Sequence, residues 1–501
     1  MFLRYLTSLV IVAYAFGSAR TQAQLRAGVA KVDISRVASK PSGNTLYAKA
    51  LVISDGTKTA VIVAVDAVAI AEIGSIRDPY LANVRKQLSA ELGIKPEHVL
   101  INASHCHGSV HKDVDARTVQ AVKMAAANMV PVTVGVGTGT ENRIMENRRL
   151  ILKSGRIIDV RHAYPLPPDD AVAAVGPVDT EIGILRLDRT NGDTLALLYN
   201  FAMHPIKGTP ATAGDTADIV GFASKAIEEN LPAGAMAFFI QGCGGDINPI
   251  RYKEVNVPRD AEPHGNLLAL STLRAARKIK TKPVNSFKFT NHKLKIPRAD
   301  HSKRIEEMEA EKERLTKSLR GTPLNLKSFM SLYMKHSANG TAPSIDSYVY
   351  MRDEQIGRKD LTSLDERNLR DLERYRNNVH TMEALIRLLI NKALLERHQM
   401  RNSAANMEPV EVEVVGLRIG DFRMVSFPGE VTVPIGLNIK KRAPHDMTFV
   451  AGYSNGYIYY CPTAEQLKNI GGAQEDSDCL IAAEWQALFE NKALEILKAL
   501  D

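Results

Sequence analysis

Two histidines in a short segment are the first residues that could bind a metal. Residues 102–107 (NASHCH) follow the apolar run 99–101 and contain His105 and His107. Alternate side chains of an extended segment lie on the same side, so both imidazoles are expected to face one way. A His-x-His pair is a common zinc-binding arrangement, although the same residues could be ordinary polar loop histidines.

Three further segments place candidate side chains at the ends of predicted strands. Residues 200–205 (NFAMHP) contain His204 before a proline that restricts the backbone, and residues 427–430 (FPGE) end in Glu430. A structural histidine and a glutamate at a helix start are the alternatives. Residues 452–463 carry four tyrosines within eight residues, which suits a loop lining a cleft or a plain aromatic edge strand. Catalytic groups of mixed α/β folds gather at such strand ends.

The elements that must position these side chains alternate between strands and helices, which predicts an α/β fold with a mixed sheet. Period-two and β-branched patterns predict strands at 29–34, 47–70 (a hairpin turning at Ser54-Asp-Gly56), 99–101, 182–187, 194–201, 236–240, 410–419 and 422–427. Helical spacing predicts helices at 78–92, 115–128, 217–230, 306–319, 361–400 and 479–500. Asn191-Gly192 is a strong hairpin signal, Asp78 is placed to cap a helix, and Pro79 suits its first turn.

One segment differs in composition from the remainder. Residues 301–400 contain 18 Lys and Arg and 15 Asp and Glu, so 33 of 100 residues are charged against 24% overall. This composition predicts a solvated helical insertion at about residues 300–405. We expect it to be a lid or flank without chemistry of its own.

Composition excludes several classes of protein. A chain of 501 residues with 45% hydrophobic and 24% charged residues is neither disordered nor collagen-like. The net charge of 64 − 56 = +8 fits an anionic surface or substrate, but the cations are spread too evenly to indicate nucleic-acid binding. Four cysteines are too few for a disulfide scaffold and could either pair or remain as buried thiols.

The N-terminus has the pattern of a signal peptide. Arg4 precedes the apolar run 5–16, and small residues at 21–23 suit cleavage there. The apolar run is shorter than the roughly 20 residues that cross a bilayer, which leaves an uncleaved anchor as the alternative. We therefore expect a secreted or periplasmic protein of residues 24–501, with charge 62 − 56 = +6 and no transmembrane segment.

Taken in order, these motifs resemble those of the neutral (non-lysosomal) ceramidases and their bacterial relatives. The matching segments are 27–34 (AGVAKVDI, the opening strand), 102–107 (the histidine loop), Asn147-Arg148 (the substrate arginine), 200–205 (the second histidine site), 241–249 (QGCGGDINP, the glycine-rich loop), 427–430 and 457–465 (the last metal segments). The resemblance spans nearly all of residues 27–475. It implies a catalytic domain of the neutral-ceramidase type, built on a mixed sheet and interrupted by the helical insertion.

The resemblance also implies a site and a reaction. The zinc ligands would be His105, His204, Glu430 and Tyr460. Catalytic roles would fall to His107 and Arg148, which would face the substrate carbonyl and its neighbouring oxygens, and to Asn248 in the glycine-rich loop. The implied reaction is hydrolysis of a linear amide of the N-acyl sphingosine (ceramide) type by metal-activated water, with a lipid or other small molecule as substrate.

The sequence departs from the family in three places. Asn248 stands where the family has a serine, so a covalent serine mechanism is excluded, whereas an amide can still donate a hydrogen bond to substrate. Residues 471–475 lack the tyrosines expected after Tyr460, so we expect a different arrangement of the groups that support the oxyanion. The chain also ends soon after the last motif, so the family's separate C-terminal β domain is expected to be absent.

Two other functions remain open. A zinc-dependent enzyme could act on an acidic polysaccharide as a lyase, with the metal and Arg148 neutralising a uronate while Tyr457 or Tyr460 removes the α-proton. The charge of +6 and the missing serine favour this alternative. A non-catalytic binding protein could also keep the fold without turnover. Ultraviolet-absorbing unsaturated products would distinguish a lyase from a hydrolase.

Overall fold

The computed structural model describes residues 24–36, 45–160, 167, 169–208, 216–251, 259–339, 355–357, 366–469 and 472–501. The predicted signal peptide, residues 1–23, lies outside this range. Within these residues, no helix combines the length and the apolar character that a bilayer crossing requires.

The described residues form a mixed α/β fold. The strands are β1 (Arg26–Asp33), β2 (Tyr47–Ser54), β3 (Thr59–Val65), β4 (Val99–Ala103), β5 (Val130–Thr140), β6 (Met145–Asn147), β7 (Arg149–Leu152), β8 (Ile157–Asp159), β9 (Val172–Val175), β10 (Glu181–Arg189), β11 (Thr194–Phe201), β12 (Met236–Gln241), β13 (Ile247–Pro249), β14 (Phe287–Ile296), β15 (Val410–Ile419), β16 (Phe422–Ser426), β17 (Glu430–Val431), β18 (Thr448–Ala451) and β19 (Tyr460–Cys461). The α-helices are α1 (Pro79–Leu92), α2 (Val114–Ala127), α3 (Asp218–Glu229), α4 (Glu262–Ala276), α5 (Ser302–Ser318), α6 (Leu326–Asn339), α7 (Glu366–Ala404), α8 (Val433–Arg442) and α9 (Trp485–Ala499).

Two sheets carry the fold. The larger has eight strands in the order β12-β11-β10-β5-β1-β2-β3-β4 and is antiparallel except for its two outer pairs, β3–β4 and β11–β12. The smaller has the order β14-β15-β16-β18 and is antiparallel except for β16–β18. Short ladders join β13 to β6 and β17 to β19, and β7 pairs with both β8 and β9.

The two sheets pack face to face, and helices cover their outer faces. One core cluster joins residues of both sheets, such as Leu51 and Ile62 of the larger sheet with Leu417 and Phe449 of the smaller. The outer face of the larger sheet packs on α1 to α4, and the outer face of the smaller on α8 and α9. Because both faces of β3 are covered, its residues 60–65 form the continuous apolar run AVIVAV.

The outer strands of the larger sheet also approach each other. The Gln241 backbone amide at the end of β12 donates to Asn102 Oδ1 of β4 (2.8 Å), and Gln241 Nε2 donates to the Ser104 carbonyl (3.0 Å). The loops that follow β4 and β12 therefore meet, although they begin at opposite edges of the sheet.

The segment expected to be a helical insertion is helical. Helices α5 and α7 share a small core of their own, formed by Met308, Leu315, Leu388 and Leu395. The structure begins α5 four residues earlier than predicted and ends α7 four residues later. The boundaries of the insertion at about 300 and 405 stay a prediction.

Most predicted elements are confirmed, including both hairpins and the helix that begins at Pro79. Two details are wrong. The last helix begins at Trp485, not Cys479, because residues 479 and 481 form β-bridges with Tyr459 and Arg298. The Asp78 side chain makes no cap hydrogen bond. All four cysteines are buried free thiols, so the alternative of disulfide pairing is excluded.

Candidate metal centre

The candidate site lies where the parallel strands of both sheets end. The segments that follow the carboxyl ends of six strands supply the candidate residues. Val68, His105 and His204 follow β3, β4 and β11, whereas Asn248, Glu430 and the tyrosines follow β12, β16 and β18. Every strand in this set belongs to one of the three parallel pairs in the two sheets. Five antiparallel pairings separate β11 from β3, so the two parallel pairs of the larger sheet run in opposite directions. Their carboxyl ends meet because the ends of β4 and β12 contact each other through Asn102 and Gln241.

Both predicted histidine ligands are held by backbone carbonyl groups. His105 Nδ1 lies 2.7 Å from the Val68 oxygen, and His204 Nδ1 lies 2.9 Å from the Ile247 oxygen. A carbonyl oxygen only accepts hydrogen bonds, so each Nδ1 carries the proton and each Nε2 of the neutral ring is an acceptor. Metal-binding histidines are commonly oriented in this way.

Glu430 faces both of these acceptors. Its Oε2 lies 3.2 Å from His204 Nε2 and 3.5 Å from His105 Nε2. The three side chains are buried, and their potential ligand atoms all lie within 4.8 Å of one another. Acceptors so arranged repel one another unless a proton or a cation lies between them, so the donor set fits a bound metal ion.

The ionisation of Glu430 suits the same role. Burial by itself raises the pKa of Glu430. When the rings of His105 and His204 carry a second proton, their positive charges, with hydrogen bonds from His204 and Tyr457, hold this pKa well below its usual range. The group is therefore a carboxylate at neutral pH.

Two tyrosines of the 452–463 loop hold Glu430 directly. The Tyr453 hydroxyl donates to Glu430 Oε2 (3.1 Å), and the Tyr457 hydroxyl donates to Oε1. Burial raises the pKa of both phenols well above their ordinary value, with the charge of Glu430 acting in the same direction. The four tyrosines are buried at the centre, so the segment is not a plain edge strand.

The two histidines of the His-x-His segment do not share one side. His105 has φ +66° and is buried, whereas His107 is exposed. The extended conformation expected for this segment is therefore wrong, because the left-handed turn at His105 directs the two rings differently. The rings still lie close, with centroids 5.3 Å apart, so His107 is an exposed imidazole beside the centre.

Arg148, Asn248 and Tyr460 contact one another. Arg148 Nη1 donates to Asn248 Oδ1 (3.2 Å), and Nη2 donates to the Tyr460 hydroxyl (3.1 Å) and to the Gly245 carbonyl (2.7 Å). Tyr460 pairs with Glu430 through the β17–β19 ladder, but its hydroxyl contacts Arg148. The structure thus brings together two predicted catalytic residues, Arg148 and Asn248, with the predicted ligand Tyr460, and the contacts of the Arg148 guanidinium are with protein groups.

Glu475 is a buried partner of Arg148 that the sequence does not predict. It forms a buried ion pair with Arg148, and its Oε2 lies 3.2 Å from Arg149 Nη2. The charge of Glu475 raises the pKa of Arg148 well above its ordinary value, although burial opposes this. Arg148 is wholly buried, and its expected contact with substrate stays a prediction. Nothing in the sequence pairs residues 148 and 475.

The glycine-rich loop connects the histidine and glutamate segments. A Cβ atom at Gly245 would lie 2.4 Å from the Glu430 carbonyl oxygen, so only glycine allows this approach. Gln241 Nε2 donates to the carbonyls of both Ser104 and Met203, each of which precedes a candidate histidine ligand. The loop therefore fixes the three ligand segments relative to one another.

Comparison with solved structures identifies two ceramidase structures with the same fold. The neutral ceramidase from Pseudomonas aeruginosa matches with a TM-score of 0.58 and 15% identity, over 95% of this chain and 74% of its own. A ceramidase complexed with C2 matches with a TM-score of 0.58 and 16% identity, over 95% of this chain and 75% of its own. No family model matches the sequence, and no curated protein matches it. The chain has a mixed α/β fold like that of the neutral ceramidases.

Proposed function

We propose that this protein is a zinc-dependent hydrolase that cleaves a linear amide bond. The observation that supports the proposal most is the convergence of His105 Nε2, His204 Nε2 and a Glu430 oxygen in a buried group. Two imidazoles and one carboxylate, with a position left for water, form a common catalytic zinc site. The likeness to two structures named ceramidases adds a reason to choose amide hydrolysis.

The protein groups around this set have separate proposed roles. A bound zinc ion would act as a Lewis acid and would lower the pKa of a water molecule bound to it towards neutrality. His105, His204 and Glu430 would hold the ion, and Tyr460 would be an additional ligand beside the water, as in zinc sites that expand beyond four ligands. Tyr453 and Tyr457 orient the Glu430 carboxylate through their hydroxyl groups.

His107 is the proposed catalytic group that faces substrate. It is the exposed imidazole of the segment, and its ring lies beside His105, where it can stabilise an oxyanion or protonate a leaving nitrogen. Arg148 and Asn248 are proposed to act on substrate beside Tyr460, since Arg148 donates to the hydroxyl of that tyrosine.

The proposed substrate is an N-acyl sphingosine or a related N-acyl lipid, and the proposed location is outside the cytoplasm. The lyase alternative has less support from the site, because the Tyr457 hydroxyl donates a hydrogen bond to Glu430 and the charge of Arg148 is paired with Glu475. Both features oppose proton abstraction from a uronate by this tyrosine and charge neutralisation by this arginine.

Zinc content and turnover test the proposal together. Protein comprising residues 24–501 would be assayed for bound zinc and for cleavage of a fluorescent N-acyl sphingosine, beside a panel of uronic-acid polysaccharides. We expect about one zinc ion per chain and amide cleavage, both lost in His204→Ala. His111→Ala is the matched control, because His111 pairs with Asp113 outside the centre.

Each other result has a defined meaning. Zinc with unsaturated polysaccharide products would replace the hydrolase with a lyase at the same site. Zinc without turnover on either class of substrate would favour a binding protein. A wild-type chain that binds no zinc would overturn the proposed ligand set.

A further inference from the structure

Left-handed backbone conformations are concentrated in the loops of the candidate metal centre. Ten described residues other than glycine have positive φ, and six of them lie in these loops: Ala71, Glu72, His105, Tyr453, Asn455 and Tyr459. Such conformations are unfavourable for L-residues and persist where surrounding contacts enforce them. The contacts that hold Glu72 and Tyr459 come from outside the centre.

Glu72 belongs to the loop that supports His105. The loop follows β3 and includes Val68, whose carbonyl accepts the hydrogen bond from His105 Nδ1. Glu72 has φ +63°, and its Oε2 accepts hydrogen bonds from Arg401 Nη1 (2.7 Å) and from the Tyr459 hydroxyl (3.0 Å). One carboxylate oxygen therefore connects this loop to the tyrosine loop and to helix α7.

Tyr459 belongs to the loop that supports Glu430. It has φ +65° and precedes Tyr460, and its ring centroid lies 5.2 Å from that of Tyr457, whose hydroxyl donates to Glu430. The Cζ atoms of Arg401 and Arg397 lie 5.1 and 5.6 Å from the Tyr459 ring centroid. Cations over an aromatic face are attracted by the ring quadrupole.

The same end of α7 also binds the segment behind Tyr460. His398 Nε2 lies 2.6 Å from Asp478 Oδ1, and Arg397 Nη2 donates to that oxygen (2.8 Å). The Asp478 carbonyl accepts a hydrogen bond from the Tyr460 amide (3.1 Å). Residues 397–401 of α7 thus contact loops on both sides of the candidate centre without contributing a ligand.

We propose that residues 397–401 of α7 are a clamp that positions the two halves of the metal centre, acting through Glu72 on the His105 side and through Tyr459 on the Glu430 side. Arg401, Glu72 and Tyr459 are positioning residues. An isolated, half-exposed ion pair such as Arg401–Glu72 contributes little by itself. Here the pair is combined with a phenol hydrogen bond and two cation–π contacts, which fix its geometry. The helix expected only to flank the site thereby acquires a role in the site.

Backbone amide exchange in metal-free protein tests the clamp directly. We expect Arg401→Met to accelerate exchange in residues 66–76 and 452–461 while the core strands keep their protection. Arg376→Met is the matched control, because Arg376 forms a half-exposed ion pair with Glu373 on the same helix (2.6 Å). Glu72→Gln should accelerate exchange in the same loops, and the double variant should add little, since both changes break one interaction.

The second readout is the zinc affinity, measured by competition with a chelator. This is the only measurement of the clamp that rests on the proposed function. Loss of contacts that orient ligands should weaken binding roughly ten-fold in Arg401→Met. A wild-type chain without zinc would overturn the proposed function, and the exchange data would still decide on the clamp.

Unchanged exchange in both loops of Arg401→Met would overturn the clamp. If exchange in Arg401→Met rises throughout the chain, the variant Arg401→Lys distinguishes loss of the clamp from general destabilisation. Lysine retains the charge near Glu72 and the Tyr459 ring. Restored protection of the two loops by lysine would support the clamp, and global acceleration in that variant too would reject it.

Discussion

His301 is a buried histidine whose ionisation should make stability depend on pH. It lies just before α5, and its Nε2 donates to the Cys479 carbonyl (2.9 Å). Burial lowers the pKa of His301 to about 4 from 6.5, despite that hydrogen bond. Between these values the unfolded chain binds the proton and the folded chain does not, so the free energy of unfolding falls as pH decreases. The loss below pH 4 is about 3 kcal/mol.

Chemical denaturation between pH 4 and 8, with a chelator present, measures this effect. His301→Gln keeps a side-chain N–H for Cys479 but cannot be charged, so its stability should decline less than that of the wild type below pH 6.5. His380→Gln replaces a half-exposed histidine of α7 and should keep the wild-type slope. Equal slopes in all three proteins would show that His301 is not responsible.

Single residues also show how far the sequence predicts the candidate site. His105, His204 and Glu430 were predicted from strand-end motifs and a family resemblance, and they meet in the structure because each motif keeps its place after a strand. The surroundings of Arg148 were not predictable. Its partner Glu475 lies 327 residues away in a segment with no recognisable motif. The carboxylate of Glu475 comes close to Arg148 only when the chain is folded.

At the scale of elements, Gly183 determines how closely the two sheets approach. It lies on β10, and a Cβ atom there would be 2.2 Å from the Phe449 ring of β18 in the facing sheet. Gly183→Ala should lower the free energy of unfolding by about 1–3 kcal/mol, because the ring or the strands must shift. Urea denaturation measures this change.

The control for this prediction is another glycine. A Cβ atom at Gly321, between α5 and α6, would meet no heavy atom within 4 Å. Gly321→Ala should therefore leave the stability near that of the wild type or raise it slightly. Similar values for both variants would contradict close contact between the sheets at Gly183.

Elements were predictable where the signal is local. Hairpins at Gly56 and Gly192 and most helices follow from turn residues and from hydrophobic spacing. The start of the last helix could not be predicted in this way. Residues 479 and 481 have an apolar pattern compatible with a helix, but they form β-bridges to distant segments. The approach of β4 and β12 could not be predicted from the sequence either, since it depends on the contact between Asn102 and Gln241, which are 139 residues apart.

At the scale of the whole molecule, the candidate metal centre joins the two sheets. His105 and His204 follow strands of the larger sheet, whereas Glu430 follows β16 of the smaller. An ion held by all three therefore binds the folded chain and not the unfolded one. Zinc at a hundred times its dissociation constant should raise the free energy of unfolding by about 2.7 kcal/mol.

Denaturation with and without zinc at neutral pH measures this linkage. The gain should vanish in His204→Ala and also in Glu430→Gln, because either change removes one of the ligands that join the sheets. His111→Ala should keep the full gain, since His111 and its partner Asp113 lie outside the ligand set. If zinc stabilises His204→Ala as much as the wild type, the ion binds elsewhere and the two sheets are not joined through this centre.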